Sequence, residues 1–281
     1  MNEVQSFLFE GLGIRGSLVR LEETWQQVIA QHHYPENVRR LLGEGVAATV
    51  LLTTGLKGAP KVSLQLQGDG ALKLLLIQCS SELRVRGMAQ WRKTSQHHAL
   101  LGEGRLAVHL ETGEPGRRFQ GIVPLVSTQI DACLEAYFRQ SEQLPTRLVL
   151  KTTESRAAGL ILQALPQYDP TDESFAAAAA LASTVSANEL SEMSATRLLP
   201  RLFDGYAIRL FEPQPVEHDC RCTPDRLAGV VRMLGPDELA DLLGQTGHVE
   251  LTCEFCNRAF RYDAADVDTI LDGDTPQSLL H

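Results

Sequence analysis

Four of the six cysteines lie in two short motifs near the C-terminal end of the chain. Cys220-Arg221-Cys222 is a C-x-C motif and Cys253-Glu254-Phe255-Cys256 is a C-x-x-C motif, and thirty residues separate them. Two thiolate pairs joined by an intervening segment supply the ligands of a tetrahedral Zn²⁺ site. Close thiol pairs also permit reversible disulfide chemistry. The residue types therefore predict a metal site, a thiol redox site, or both in one.

The four thiolates of Cys220, Cys222, Cys253 and Cys256 are the predicted zinc ligands. His218 lies two residues before the first motif and is a secondary candidate ligand. A C-x-x-C knuckle is usual in structural zinc sites, whereas a C-x-C pair is less common. A closed, inert structural site is the alternative that the residues leave open.

The two remaining cysteines are isolated in the sequence. Cys79 falls in a predicted strand and Cys133 on the apolar face of a predicted helix. Free cysteine often behaves as a small buried apolar residue. We therefore assign both to the core and neither to the site.

A glycine motif near the N-terminus also requires interpretation. Gly11 to Gly16 spell G-x-G-x-x-G, which in dinucleotide-binding proteins opens a helix directly. Here the third glycine is followed by residues 17–21, which read as a strand. We interpret the glycines as a bend in a strand and predict no nucleotide cofactor.

The charge of the chain is unevenly distributed. The formal net charge is −9, and residues 216–281 hold thirteen acidic and five basic side chains. The preceding residues are close to neutral, with 22 acidic and 21 basic side chains. Because Lys and Arg supply most of the affinity for phosphates, the acidic C-terminal part argues against nucleic-acid binding.

The N-terminal residues predict neither export nor membrane insertion. Met1 to Ser6 contain no basic segment of the kind that opens a signal peptide, and apolar runs such as Val46 to Leu52 are too short to span a bilayer. We therefore expect a cytoplasmic protein without a membrane partner. In that reducing compartment, paired cysteines favour metal binding or catalysis over structural disulfides.

Periodicity predicts an α+β fold in three parts. Residues 1–170 combine two helices, over residues 24–32 and 35–54, with a succession of alternating strands from residue 61 onward, predicting an antiparallel meander with packed helices. Residues 171–215 predict a helical linker containing the alanine run 176–180. Small side chains bury little area, so we expect this linker to dock weakly.

Residues 216–281 form the third part, a small zinc-binding domain. It has only 66 residues, and units of that size usually need a metal or disulfides to be stable. Structural zinc contributes on the order of 10 kcal/mol to such modules. We therefore expect loss of the ligands to unfold this domain.

The chain resembles the heat-shock protein 33 family of redox-regulated holdase chaperones. The C-x-C motif, its spacer and the C-x-x-C motif match the C-terminal signature of that family. Residues 65–70, Gln120-Gly121-x-Val123 and the stretch Tyr137 to Arg147 are similar to family segments in the N-terminal part. The resemblance covers essentially the whole chain.

The resemblance implies a chaperone, not an enzyme, that is inactive while reduced and zinc-bound. Oxidants would form the disulfides Cys220–Cys222 and Cys253–Cys256 and release zinc. The C-terminal domain and the linker would then unfold and uncover apolar surface on the N-terminal sheet. The active form would be a homodimer that holds unfolding client proteins without ATP.

The spacing of the first motif bears on that chemistry. Residues i and i+2 of an extended strand lie roughly 6.6–7 Å apart, whereas disulfide Cα separations rarely exceed about 6.8 Å. A Cys220–Cys222 disulfide therefore requires the backbone to leave an extended conformation.

Two other functions remain open: a zinc-ribbon interaction module without redox switching, and a thiol oxidoreductase using Cys253 and Cys256. The oxidoreductase lacks the expected context, because Phe260 and Tyr262 predict a strand after the motif, not a helix.

Overall fold

The structure is a computed structural model, and it describes residues 1–30, 32–56, 61–92, 99–111, 118–166 and 173–272. The chain divides into two compact units, Met1–Asp219 and Cys220–His281. Within the described residues, none of the helices combines the length and the apolar character needed to cross a membrane.

The larger unit contains both strands and helices. Its strands are β1 Asn2–Phe9, β2 Ile14–Leu21, β3 Lys61–Gly68, β4 Leu72–Ser80, β5 Arg84–Trp91, β6 Gly104–Glu111, β7 Arg118–Pro124, β8 Thr146–Thr152, β9 Ala157–Ala164, β10 Ile208–Leu210, β11 Gln214–Pro215 and β12 Glu217–His218. Its helices are α1 Glu23–Ile29, α2 Glu36–Gly55, α3 Ile130–Tyr137, α4 Ser174–Ala182, α5 Ala187–Glu192 and α6 Ala195–Leu202, and a π-helical turn, Phe138–Glu142, follows α3.

The strands of this unit form two six-stranded sheets. The first sheet has the order β10-β1-β2-β9-β8, with β11 also paired to β1, and the second has the order β12-β5-β4-β3-β6-β7. Neighbouring strands are antiparallel, except that β12 pairs with β5 in parallel. The predicted alternation is confirmed, but β3 lies between β4 and β6, so the second sheet is not a simple meander.

The hairpin between β1 and β2 explains the glycine motif. Gly11 and Gly13 have φ of 80° and 62° and form the turn, a conformation that glycine adopts without steric strain. Gly16 lies within β2, where an added Cβ would be 2.2 Å from the ring of Phe7. The glycines therefore permit a turn between two strands and a close packing contact, whereas the sequence predicted a bend within one strand.

Helix α2 packs against strands of both sheets and is buried along most of its length. Its glycines allow that close approach: a Cβ at Gly43 would be 2.5 Å from Thr152, in the first sheet, and a Cβ at Gly45 would be 2.8 Å from Ile77, in the second. A helix with apolar residues on all sides is stable only when it is enclosed. The main core of the unit therefore surrounds α2.

Helices α4 to α6 cover the opposite face of the first sheet. A second hydrophobic cluster joins Phe7, Phe9 and Leu18 of that face to Leu198 and Phe203. Helix α4 contributes only alanines to its buried residues, Ala178, Ala179 and Ala182. The segment therefore buries large side chains at its C-terminal end and small ones at its N-terminal end. Residues 171 and 172, at the predicted start of the linker, lie outside the described residues.

The last residues of the predicted helical linker are not helical. After α6 the chain forms β10 and β11, which extend the first sheet along β1. These strands have three and two residues, too few to show a period in the sequence.

The described part of the smaller unit, residues 220–272, contains a hairpin and three helices. Its elements are α7 Pro224–Val231, α8 Pro236–Thr246, β13 Val249–Thr252, β14 Ala259–Tyr262 and α9 Ala264–Leu271. Strands β13 and β14 pair in antiparallel register. The prediction of an α+β fold, with an N-terminal sheet domain and a C-terminal cysteine cluster, is confirmed.

Candidate metal centre

The C-x-C motif directly precedes the first helix of the small unit. The Thr223 side chain accepts a hydrogen bond from the backbone N–H of Arg226 and caps α7, and Pro224 occupies the first turn. Proline suits that position because the first helical N–H groups have no intrahelical acceptor. The start of α7 thus fixes the chain immediately after Cys222.

The C-x-x-C motif occupies the turn between β13 and β14. The N–H of Asn257 donates to the carbonyl of Cys253 at 2.7 Å, and the N–H of Cys253 donates to the carbonyl of Arg258 at 2.9 Å. Asn257 adopts φ of 56°, a left-handed conformation that asparagine tolerates better than most residues. This tight turn directs Cys253 and Cys256 to one side of the hairpin.

All four cysteine sulfurs of the two motifs converge. The Sγ atoms of Cys220, Cys222, Cys253 and Cys256 lie within 4.8 Å of one another. Across the motifs, the Cys220 and Cys253 sulfurs are 3.6 Å apart and the Cys222 and Cys256 sulfurs 3.3 Å apart. A tetrahedral site with Zn–S bonds of about 2.3 Å places its sulfurs roughly 3.8 Å apart. The donor set and its spacing therefore fit a four-coordinate Zn²⁺ ion.

The protonation of the cluster reflects its crowding. Burial, together with neighbouring thiols, raises the pKa of Cys220 to about 11 and also raises the pKa of Cys222. Burial alone would raise the pKa of Cys253 as well, but N–H groups of Cys256 and Phe255 that donate to its sulfur lower the net pKa. A bound divalent cation would favour the thiolate form of all four cysteines.

Two of the four cysteines belong to the core of the small unit. Cys222 and Cys253 are 9% and 8% exposed and pack in one cluster with Phe260, Tyr262 and Val267. Tyr262 is fully buried, and its hydroxyl donates to the carbonyl of Pro224 at 2.9 Å. The candidate ligands therefore form part of the packing that holds the hairpin to α7.

His218 is not among the converging ligand atoms. It lies in β12, where Val85 is its register partner. Burial lowers the pKa of the His218 imidazole, so the neutral ring is favoured. The secondary candidate ligand is thus placed in the second sheet of the larger unit.

The supporting contacts of the site were not identified from the sequence. Thr223 and Tyr262 position the two motifs, yet neither residue type indicates a metal site on its own. The Thr-Pro-Asp sequence at 223–225 is a recognisable helix start, and it alone could have indicated the cap. Cys79 and Cys133 are both buried in the main core, as predicted.

Comparison with known proteins gives a consistent result. The family model described as "Hsp33 protein" matches residues 2–263. The chain is 39% identical over 278 residues to the 33 kDa chaperonin of Shewanella denitrificans, covering 97% of this chain and 96% of that protein. It is 39% identical over 285 residues to the 33 kDa chaperonin of Serratia proteamaculans, covering 99% and 97%.

A solved structure shares the fold. The crystal structure of the 33 kDa chaperonin (heat shock protein 33 homolog) from Thermotoga maritima aligns with a TM-score of 0.84. The alignment covers 97% of this chain and 98% of that one, at 21% sequence identity.

Proposed function

The chain belongs to the Hsp33 protein family, and we propose that it is a redox-regulated, ATP-independent holdase that binds unfolding proteins under oxidative stress. The names of the curated relatives, 33 kDa chaperonin, support a chaperone role. Members of the family are chaperones without enzymatic activity, which supports the same assignment here.

One observation carries the regulatory part of the proposal: the four-sulfur cluster is built into a small core. In the reduced form Cys220, Cys222, Cys253 and Cys256 would hold Zn²⁺, which keeps the thiols ionised and cross-links the two motifs. Because Cys222 and Cys253 are also core residues, any reaction that redirects them removes both the cross-link and packing. The reduced form is therefore the closed, inactive one.

Activation proceeds by disulfide formation within each motif. Cys220 pairs with Cys222 and Cys253 with Cys256, and each pair of thiolates gives up two electrons to one peroxide, which takes up two protons from solvent and becomes two water molecules. A disulfide sulfur is no longer a thiolate ligand, so the cluster cannot retain the metal. The small unit, which depends on that cross-link, then unfolds.

The proposed client-binding surface is the face of the first sheet that lies opposite α2. Helices α4 to α6 cover it, and their departure would expose Phe7, Phe9 and Leu18. Exposed contiguous apolar surface of this kind marks sites of protein association. We further propose that the active form is a homodimer, and that it acts in the cytoplasm on unfolded proteins, not on nucleic acid or membranes.

The test compares the reduced, zinc-loaded chain with the same chain after treatment with peroxide at mildly raised temperature. Zinc release, free thiols and suppression of aggregation of an unfolding client are followed on one sample. We expect all three to change together. The matched control is the double variant Cys79→Ala, Cys133→Ala, which lacks only the cysteines outside the cluster and retains the switch.

Three results would point elsewhere. Equal chaperone activity before and after oxidation removes the redox switch and leaves a constitutive chaperone. Zinc that stays bound after oxidation favours the zinc-ribbon interaction module, with inert structural cysteines. Turnover of a small disulfide substrate favours a thiol oxidoreductase.

A further inference from the structure

A hollow of about 360 Å³ lies where the C-terminal end of α2 meets the inner face of the first sheet. Its apolar wall includes Leu8, Leu51, Ile161, Leu165 and Phe211. A smaller hollow of about 100 Å³ shares part of the same wall, including Arg15, Leu51 and Ile161. The described residues that line both hollows belong to the larger unit.

Arg15 brings a positive charge to this apolar wall. Its Nε and Nη2 atoms donate to Oε1 of Gln163 at 3.2 and 2.6 Å, and its guanidinium lies over Gly55 at the end of α2. Within the described parts of the chain, Arg15 makes no ion pair and Nη1 has no hydrogen-bond acceptor. Burial lowers the pKa of Arg15, but a guanidinium remains charged in proteins. A half-buried cation therefore faces the hollow with donor capacity to spare.

Two buried polar side chains stand beside Arg15. Gln163 is 6% exposed and is held by Thr146, to which its Nε2 atom donates at 3.3 Å. Ser17 is 7% exposed, and its hydroxyl shares one hydrogen bond with Ser6 at 3.0 Å. Two hydroxyls joined by one hydrogen bond leave one O–H hydrogen for a further acceptor. The polar corner of the hollow thus offers donors from a cation and a hydroxyl.

The sign of the charge in the hollow selects an anion. Among the described residues that line the larger hollow, Arg15 is the one charged side chain. Glu142 lines only the smaller hollow, where its carboxylate accepts from the hydroxyl of Tyr137. An anionic group is therefore favoured in the larger hollow, whereas in the smaller one the carboxylate of Glu142 offsets the charge of Arg15.

A cross-strand Arg–Gln pair does not by itself make a site. Arg105 and Gln67 form the same pattern, with Nε and Nη2 donating to Oε1 at 3.1 and 2.9 Å. Arg105 is exposed on β6 and lines neither hollow. Arg15 differs because its unused donors face an apolar hollow instead of solvent.

We propose that the larger hollow binds a small monocarboxylate with an apolar chain, its carboxylate on Arg15 and Ser17 and its chain against Leu51 and Ile161. A planar guanidinium pairs well with a carboxylate, and apolar walls with few polar groups are typical of small-molecule sites. The volume is at the lower end of the roughly 300–1,000 Å³ range of such sites, which favours a short or medium-chain acid over a peptide segment. This site goes beyond the proposed chaperone activity and does not depend on it.

The test titrates octanoate into the reduced full-length chain labelled at Leu and Ile methyl groups. We expect saturable binding, with intermolecular NOEs from the octanoate chain to Leu51 and Ile161. Because hydrogen bonds to charged groups are the stronger ones, 1-octanol should bind at least about tenfold more weakly. This comparison uses the unmodified protein, so it holds even if a variant folds poorly.

Variants locate the carboxylate. Arg15→Gln should weaken octanoate binding at least about tenfold, whereas Arg15→Lys should retain part of it. Arg105→Gln removes the matched exposed arginine and should leave the affinity unchanged. The proposal is overturned if octanoate does not bind with a dissociation constant of about 1 mM or better, if 1-octanol binds equally well, if Arg15→Gln binds like the unmodified chain, or if the NOEs arise elsewhere.

Discussion

The sulfur atoms of Cys222 and Cys256 lie 3.3 Å apart, although 34 positions separate the two residues in the sequence. This contact joins the C-x-C motif to the C-x-x-C motif, as the contact of Cys220 with Cys253 also does. The proposed disulfides instead join the two cysteines within each motif. The proposed oxidation would therefore replace contacts that bridge the motifs with bonds that do not, and the bridge between α7 and the hairpin would be lost.

Replacing one of the four bridging cysteines should weaken both the proposed metal site and the small unit. For Cys222→Ser we expect zinc affinity to fall by at least about 100-fold, more than the loss of an outer-shell partner produces. Amide exchange in β13 and β14 should accelerate, because Cys222 also belongs to their core. Competition with a metal chelator and hydrogen exchange measure the two effects.

The matched control for that variant is Cys133→Ser. Cys133 is also buried, but it packs in the main core of the larger unit. The Cys133→Ser variant should leave the zinc affinity unchanged and should alter only the stability of the larger unit. Equal zinc affinity for Cys222→Ser and the unmodified chain would exclude Cys222 as a ligand.

The hydroxyl of Tyr262 provides a second connection between the two motifs. It donates to the carbonyl of Pro224, so Tyr262→Phe removes one buried hydrogen bond. We expect the small unit to lose about 1–2 kcal/mol of unfolding free energy and to unfold at lower peroxide concentration. Urea titration followed by hydrogen exchange in α7 measures the first effect, and zinc release measures the second.

Tyr206→Phe is the control for the hydroxyl. Tyr206 packs at its ring against Phe9 in the larger unit. Its replacement should not change the peroxide concentration at which zinc is released. If both variants shift zinc release equally, the Tyr262 hydrogen bond is not what stabilises the site.

The site was more predictable from sequence than the arrangement of the sheets. Residue type and spacing alone predict Cys220, Cys222, Cys253 and Cys256 as ligands, and the structure brings their sulfur atoms within 4.8 Å of one another. Strand periodicity shows which residues face inward but not which strands are neighbours, so the position of β3 between β4 and β6 was not foreseen. Strands β10 and β11 are too short to carry a pattern, and pairing with β1 alone defines them.

A buried arginine holds the helical segment to the first sheet. Arg20 is 4% exposed, and its guanidinium donates to the carbonyl of Met193, at the end of α5, and to the carboxylate of Glu3. Arg20→Met should reduce the unfolding free energy by about 2–3 kcal/mol, because hydrogen bonds from a charged group are lost. It should also speed amide exchange in α5 and raise the chaperone activity of the reduced form, since the covered apolar face becomes accessible more often.

The comparison for Arg20 is Arg201→Met on the same segment. Arg201 pairs with Glu189 at 2.9 Å, but its side chain is 67% exposed, and exposed pairs contribute about 0–1 kcal/mol. It should leave amide exchange and reduced-state activity close to those of the unmodified chain. Unchanged exchange in α5 of Arg20→Met would show that the apolar contacts alone hold the segment.

Glu44 predicts a specific dependence of stability on pH. It lies inside α2 and is 8% exposed. Burial raises the pKa of its carboxyl above the usual 4.5, and the negative charge of Asp131 adds to the increase. The nearby charges of Arg40 and Lys151 lower the pKa but do not cancel the effect of burial. The folded-state pKa of Glu44 exceeds its unfolded value. Between about pH 4.5 and the folded-state pKa, the folded chain therefore binds more protons at this carboxyl than the unfolded chain does. The free energy of unfolding therefore falls with rising pH until the pH exceeds the folded-state pKa.

Glu44→Gln removes this titration and can keep a hydrogen bond from Arg40, which now donates to Glu44 at 2.7 Å. Its stability relative to the unmodified chain should rise from pH 4.5 upward and then level off, as measured by urea unfolding at a series of pH values. Glu189→Gln supplies the opposite sign: hydrogen bonds from Ser186 lower the pKa of Glu189, so its ionised form stabilises the fold. This variant should lose relative stability as the pH rises toward 4.5 and show no further change above it. Parallel pH profiles for Glu44→Gln and the unmodified chain would mean that Arg40 compensates the buried charge fully.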